Sequence, residues 1–171
     1  MEFRLKARRE QRFVLRIRKP EWMKNPTFII NGKEEELVTD SSGYCLFDRV
    51  WAHDNKIVLK YSMKPYIERL KKSDKYVALL YGPYVLAGRF GKKNLPDSFW
   101  STMNNTARRE LDLKEIPSLA YVADAVADNL KVISRNPLRF SLPMNGTKEI
   151  TIEPFYKIHF ERYIIYWLTE R

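Results

Sequence analysis

The sequence is short of the residues that make and break covalent bonds. Its 171 residues hold one cysteine, Cys45, and two histidines, His53 and His159. A lone thiol forms no internal disulfide and builds no thiolate zinc site. A nucleophile also needs a base within hydrogen-bond reach. His53 stands in the turn-like Ala52-His53-Asp54-Asn55, and Cys45 lies between Tyr44 and Leu46 in an alternating stretch, so each reads as an ordinary turn or strand residue. Six glycines are present, none of them in a phosphate-cradling loop. The longest mostly apolar stretch, Tyr76 to Gly88, is broken by Gly82-Pro83 and is too short to span a membrane. No apolar leader follows Met1, and Glu2-Phe3-Arg4 runs straight into alternation, as if the chain began inside a folded unit. Catalytic residues, a metal site and a cofactor are therefore not expected.

Aromatic residues and positive charge are what the chain has in quantity. With 4 Trp, 10 Tyr and 9 Phe, and 44% apolar residues overall, it suits strands and a packed core rather than disorder. The net charge is +10, from 31 Lys and Arg against 21 Asp and Glu. Much of it falls in the first nineteen residues, on Arg4, Lys6, Arg8, Arg9, Arg12, Arg16, Arg18 and Lys19. These cations occupy alternate strand positions and do not interleave with aromatics along a groove. A solvated or domain-facing sheet surface is the expected role, and nucleic-acid binding is a weaker alternative. Arg4, Lys6, Arg12, Arg16 and Arg18 form the candidate docking face.

Period-two alternation recurs along the first ninety residues. Phe3, Leu5 and Ala7 alternate with basic residues, as do Phe13, Leu15 and Ile17, with Arg8 to Gln11 as the expected turn between the two strands. Phe28-Ile29-Ile30 before Asn31-Gly32 predicts a type I′ hairpin, returning over Lys33 to Val38. Tyr44 to Trp51 and Lys56 to Met63 read as further strands, separated by turns at Asp40 to Gly43 and Ala52 to Asn55. Tyr76 to Leu80 and Tyr84 to Ala87 are apolar on both faces, as in a central strand. The pattern predicts an all-β fold, an antiparallel β-sandwich over 1–91, with a second, smaller β-rich unit over 92–171. That second unit is expected to be irregular over 92–138, with a helical turn or two in Val122 to Leu130. Strands follow at Arg139 to Leu142, Ile150 to Glu153, Tyr156 to Phe160 and Arg162 to Trp167, with a turn at Asn145-Gly146.

Asp124 and Asp128 stand at i, i+4, but carboxylate pairs are common, and nothing nearby outlines a sugar cleft or an ordered loop of calcium ligands. The distinctive stretch is the end. Tyr156, His159, Arg162, Tyr163, Tyr166 and Trp167 form either a sugar-stacking cluster or a core strand with an anchoring corner. The residues alone favour the structural alternative.

Several short motifs occur in a particular order. They are Phe13-Val14-Leu15-Arg16-Ile17-Arg18-Lys19-Pro20-Glu21-Trp22, Ile30-Asn31-Gly32, Gly43-Tyr44, Asp48-Arg49-Val50-Trp51, and Val77-Ala78-Leu79-Leu80-Tyr81-Gly82-Pro83-Tyr84-Val85-Leu86-Ala87, closing with Pro154-Phe155-Tyr156, His159, Arg162-Tyr163 and Tyr166-Trp167. In this order they resemble the region after the catalytic barrel in glycoside hydrolase family 127, the β-L-arabinofuranosidases. Lys92 to Leu138 matches poorly. The resemblance implies a β-sandwich portion without its barrel, either a separate domain or a truncated gene product. In that family an (α/α)6 barrel carries a cysteine nucleophile beside a zinc, and Cys45 matches neither the nucleophile nor a ligand. The implied role is a non-catalytic accessory region packing against the barrel and contributing to homo-oligomer formation. A module for plant glycans is the alternative, and nucleic-acid binding the second. No membrane partner is expected from the short apolar runs, and the resemblance implies a periplasmic or secreted setting for the parent protein.

Overall fold

The computed structural model describes residues 1–73, 75–92, 119–144 and 147–170. It is all-β and sandwich-like, built almost wholly of antiparallel strands. Contacts divide it into two compact units, Met1–Lys64 and Pro65–Arg171.

The first unit has six strands: β1 (Glu2–Arg4), β2 (Gln11–Arg18), β3 (Lys24–Ile30), β4 (Lys33–Glu35), β5 (Tyr44–Trp51) and β6 (Lys56–Ser62). One sheet runs β1-β6-β3-β4 and the other is the pair β2-β5. Alternation places Phe28, Ile30, Ile57 and Leu59 on one inner face, and Cys45, Phe47 and Trp51 on the other, all 5% exposed or less. Phe28 meets Phe47 with ring centroids 4.9 Å apart. Each such side chain contributes about 1.5–3 kcal/mol by leaving water. The expected hairpin at Asn31-Gly32 forms. Both residues have positive φ, 50° and 86°, and Ile30 pairs with Lys33. The return strand stops at Glu35 instead of Val38. Beyond it the chain lies along β5, where the Leu46 N–H donates to Val38 O at 2.9 Å and the Asp40 N–H to Tyr44 O at 2.9 Å. Arg8 to Gln11 is not a hairpin turn: β1 pairs with β6, and β2 with β5.

The second unit contains β7 (Pro65–Arg69), β8 (Tyr76–Tyr81), β9 (Tyr84–Gly91), β10 (Leu119–Val122), a single helical turn α1 (Ala123–Val126), β11 (Lys131–Arg135), β12 (Leu138–Met144), β13 (Thr147–Pro154), β14 (Arg162–Ile164) and β15 (Tyr166–Glu170). Its sheet runs β10-β15-β8-β9-β13-β12-β11, with β7 on β8 and β14 on β9. The β8–β9 hairpin is paired only near its Gly82-Pro83 tip, through Leu79↔Leu86, Leu80↔Val85 and Tyr81↔Tyr84. Farther back it splays, and the chain's last strands fill the fork: β14 pairs with β9, and β15 with β8. Trp167 sits there 1% exposed. Gly88 makes room for it, because a Cβ on Gly88 would overlap Trp167 Cη2 and lie 2.8 Å from Cζ2.

The division expected near Gly91 lies elsewhere. Gly91 ends β9, which is bonded to β8, β13 and β14, so a boundary there would cut a sheet; the contacts separate at Lys64 and Pro65 instead. The C-terminal unit is consequently the larger. Residues 93–118 of the expected irregular segment lie outside the described residues, as does the turn at Asn145-Gly146. From Leu119 onward the segment is ordered into β10, α1 and β11. Tyr156 to Phe160 is not a strand: a 3-10 turn, Phe155–Lys157, follows Pro154. Arg162 to Trp167 is two strands, because Ile165 breaks the ladder where the chain crosses from β9 to β8.

Candidate functional site

The candidate docking face separates into two places. Arg12, Arg16 and Arg18 share the outward face of the β2-β5 ribbon, opposite Val50, Leu46 and Tyr44. Arg4 lies instead in β1, in the other sheet, opposite Lys56, and Lys6 lies beyond the end of that strand. Most of these cations are engaged. Arg12 Nε and Nη2 reach Asp48 at 3.1 and 3.2 Å. Arg16 Nη2 reaches Asp40 Oδ2 at 2.5 Å and its guanidinium lies 4.8 Å from the Tyr44 ring centroid. Arg4 Nε bonds Glu2 at 3.3 Å. The Tyr44 backbone N–H, helped by Arg16 and the Ser42 N–H, holds the Asp40 carboxyl below the usual carboxylate range. Arg12 does the same for Asp48. Val14, Val38 and Val50 stand 49%, 58% and 57% exposed in the same unit. The ribbon therefore offers mixed charge and apolar surface rather than a uniform cationic track.

The C-terminal cluster is also divided. Trp167 belongs to the core, and its indole N–H has no hydrogen-bond partner among the described residues. Tyr156, Tyr163 and Tyr166 are 59%, 47% and 52% exposed. His159 is exposed, and Arg162 is half-buried in β14. The rings pair internally: Tyr163 lies 4.9 Å from Phe155 at 51°, and Tyr156 5.8 Å from Tyr84 at 42°. These tilts break up a flat stacking platform, and Lys157 Nζ lies over the Tyr156 ring, 5.9 Å from its centroid.

Beside them lies a charge network that sequence reasoning missed. Arg89 donates from Nε and Nη2 to Glu161 Oε1, at 2.9 and 2.5 Å, and from Nη1 to Glu153 Oε1 at 3.1 Å. Arg139 Nε approaches the same Glu153 oxygen at 2.9 Å. Both carboxylate side chains are nearly buried, 5% exposed for Glu153 and 8% for Glu161. Glu161 first, then Glu153, raise the Arg89 pKa. Two cations on two anions leave little net charge, so the arrangement ties β9, β12 and β13 to the segment before β14. Its only sequence signal is Arg89 ending an apolar run, with partners far along the chain.

Cys45 is buried, with Thr39 Oγ1 4.0 Å from its sulfur. His53 Nδ1 lies 3.0 Å from Ala7 O. The Asp124 side chain lies outside the described residues, and Asp128 falls beyond the single turn of α1. Among the described residues no three His, Cys, Asp or Glu side chains gather in a way that could hold a metal ion, and no helix is long and apolar enough to cross a membrane. An open depression of about 570 Å³ in the first unit is lined by Glu10, Asn31, Lys33, Glu35 and Arg49, among others. Two of its lining ions pair with each other, Arg49 Nη2 lying 3.0 Å from Glu35 Oε1. The chemistry on offer at these places is packing, ion pairing and ring contact.

Comparison with known proteins gives the family and the fold. Residues 66–169 match the model of DUF4986, a domain of unknown function. The chain belongs to that family. Residues 1–63 match a second model, the middle domain of GH127 beta-L-arabinofuranosidases. The two matches meet where the contacts also divide the chain. Together with the fold they bear out the resemblance drawn above, to a non-barrel region of family 127. Among solved structures, a glycoside hydrolase aligns with TM-score 0.63 and 14% identity over 99% of this chain and 30% of its own. A GH127 beta-L-arabinofuranosidase from Geobacillus stearothermophilus T6 aligns at 0.56 and 15%, over 99% and 28%. A GH127 beta-arabinofuranosidase aligns at 0.63 and 16%, over 99% and 30%. At such identities the likeness is one of fold. The chain spans under a third of the length of these structures. No curated protein matches.

Proposed function

We propose that this chain is an accessory β region of a glycoside hydrolase, supporting a separate catalytic (α/α)6 barrel and breaking no bond itself. The observation that carries the reading is one of coverage. Solved hydrolases match 99% of this chain while 70% or so of their own length lies outside the match, so such a fold accompanies a larger body. Support by packing needs exposed apolar residues among placed charges, and the outward face of β2-β5 has both. Association between copies through the same kind of surface belongs to the proposal. The test is to mix the purified chain with the remainder of the Geobacillus enzyme, expressed without its matching region. Co-elution and restored solubility are expected, and independent elution of the two rejects the reading. Incubating the chain alone with an aryl β-L-arabinofuranoside and zinc should release no phenol; release would show that the chemistry resides here.

The exposed Tyr156, Tyr163 and Tyr166 support a second reading, a weak site for plant glycans. Titration with arabinan fragments, followed by tyrosine ring resonances, should then shift these three together. Unmoved resonances at millimolar ligand dispose of it.

A further inference from the structure

The outer edge of β2 has no strand beside it among the described residues. β2 runs eight residues and pairs with β5 alone. The ladder between them is continuous from Gln11↔Trp51 to Arg18↔Tyr44, with neither bulge nor proline. The Lys19 N–H donates to Gly43 O at 2.9 Å, which extends that register by one hydrogen-bonded pair. Such pairs alternate in antiparallel sheets. Phe13, Leu15 and Ile17 therefore bond to β5, and Arg12, Val14, Arg16 and Arg18 turn their backbone N–H and C=O groups away from it. No other backbone group among the described residues meets those four. The far edge of β5, by contrast, is occupied by Val38 and Asp40. A long, regular, bare edge is a template for another strand, and proteins normally blunt it.

The side chains state what kind of strand fits. One face of β2 carries Phe13, Leu15 and Ile17, of which Phe13 is still 38% exposed although it touches Trp51. The other carries Arg12, Val14, Arg16 and Arg18. A second copy of β2 laid antiparallel on this edge would set arginine against arginine, and like charges across a ladder are destabilising. A strand with apolar residues on the first face and carboxylates on the second is complementary on both. Asp48 and Asp40 already take part of the charge of Arg12 and Arg16. Arg18 has no ion pair among the described residues, so charge selection centres on its end of the strand.

We propose that the free edge of β2 binds, by strand addition, an extended segment of a different polypeptide in which apolar and acidic residues alternate. The backbone ladder supplies affinity, and the arginines supply choice of partner. The probes are two fluorescein-labelled octapeptides, one alternating Val and Glu, the other Val and Lys, titrated with the full chain by anisotropy. The acidic peptide should bind at least tenfold more tightly and slow hydrogen exchange at Val14 and Arg16. Val14→Pro, which deletes one outward N–H and leaves the β5 ladder intact, should weaken binding at least tenfold with an unchanged unfolding midpoint. Arg18→Glu, a variant with no backbone effect, should shift the preference toward the Val–Lys peptide. No binding of the acidic peptide, equal binding of both, or β2 amides already protected in a self-associated protein would each overturn the proposal.

Discussion

Gly88 and Gly32 are the same residue type held for opposite reasons. At Gly32 the requirement is the backbone: φ is +86° and an added Cβ would meet nothing within 4 Å. At Gly88 it is space, because the Trp167 ring occupies the position a Cβ would take. Gly88→Ala should therefore cost about 1–3 kcal/mol by overpacking, read as a lower denaturation midpoint with an unchanged m-value. Trp167→Leu should recover part of that loss in the double variant, because it vacates the contested volume. Asp40 sets a different kind of limit. Its carboxyl is held below the ordinary range chiefly by the Tyr44 N–H, with Arg16 in support. A depressed folded value means that the stabilisation is present above the unfolded pKa and lost as pH falls through the folded one. Carbon-detected titration should place the Asp40 midpoint below that of aspartate in an unstructured peptide. Arg16→Ala should raise that midpoint only part of the way, because the two backbone donors remain.

Elements were legible where one face is buried and the turn is local. The Asn31-Gly32 hairpin, β5 and β6 could be read from alternation and turn chemistry alone, and Tyr76 to Ala87 was recognisable as central because both of its faces are apolar. Gly32→Ala should cost about 1–2 kcal/mol of left-handed strain, seen as faster hydrogen exchange at the tip and a modest fall in midpoint. What alternation cannot give is the partner of a strand. β1 and β2 look like a hairpin in sequence, yet they join different sheets. Tyr156 to Phe160 has strand-like composition, but Pro154 and the 3-10 turn after it divert the chain. Of the candidate docking residues, Arg12, Arg16 and Arg18 share a face because they stand at even spacing within one strand, whereas Arg4 lies in another sheet. The exchange of Arg89 and Arg139 with Glu153 and Glu161 was invisible, because its members stand as far as 72 positions apart. Trp167 was grouped with exposed tyrosines because nothing local distinguishes a ring inside the fork from one outside it.

At the scale of the whole molecule, the two units answer to separate cores. Ending the chain before Tyr166 removes β15 and Trp167, and it should abolish the cooperative unfolding of the second unit. The first unit, with Trp22 and Trp51 as its fluorescent reporters, should keep its own transition. A truncated protein that loses both transitions would contradict the division at Lys64.

The splayed hairpin also has a consequence for biosynthesis. Gly88 is added to the growing chain well before Trp167, by about 4–16 s at ordinary elongation rates. During that interval β8 and β9 cannot finish their sheet, since the residues that close it do not yet exist. The nascent fork exposes Val77, Leu79 and Leu86 to whatever apolar segment comes past, so this stretch is where a holding chaperone would be needed during translation.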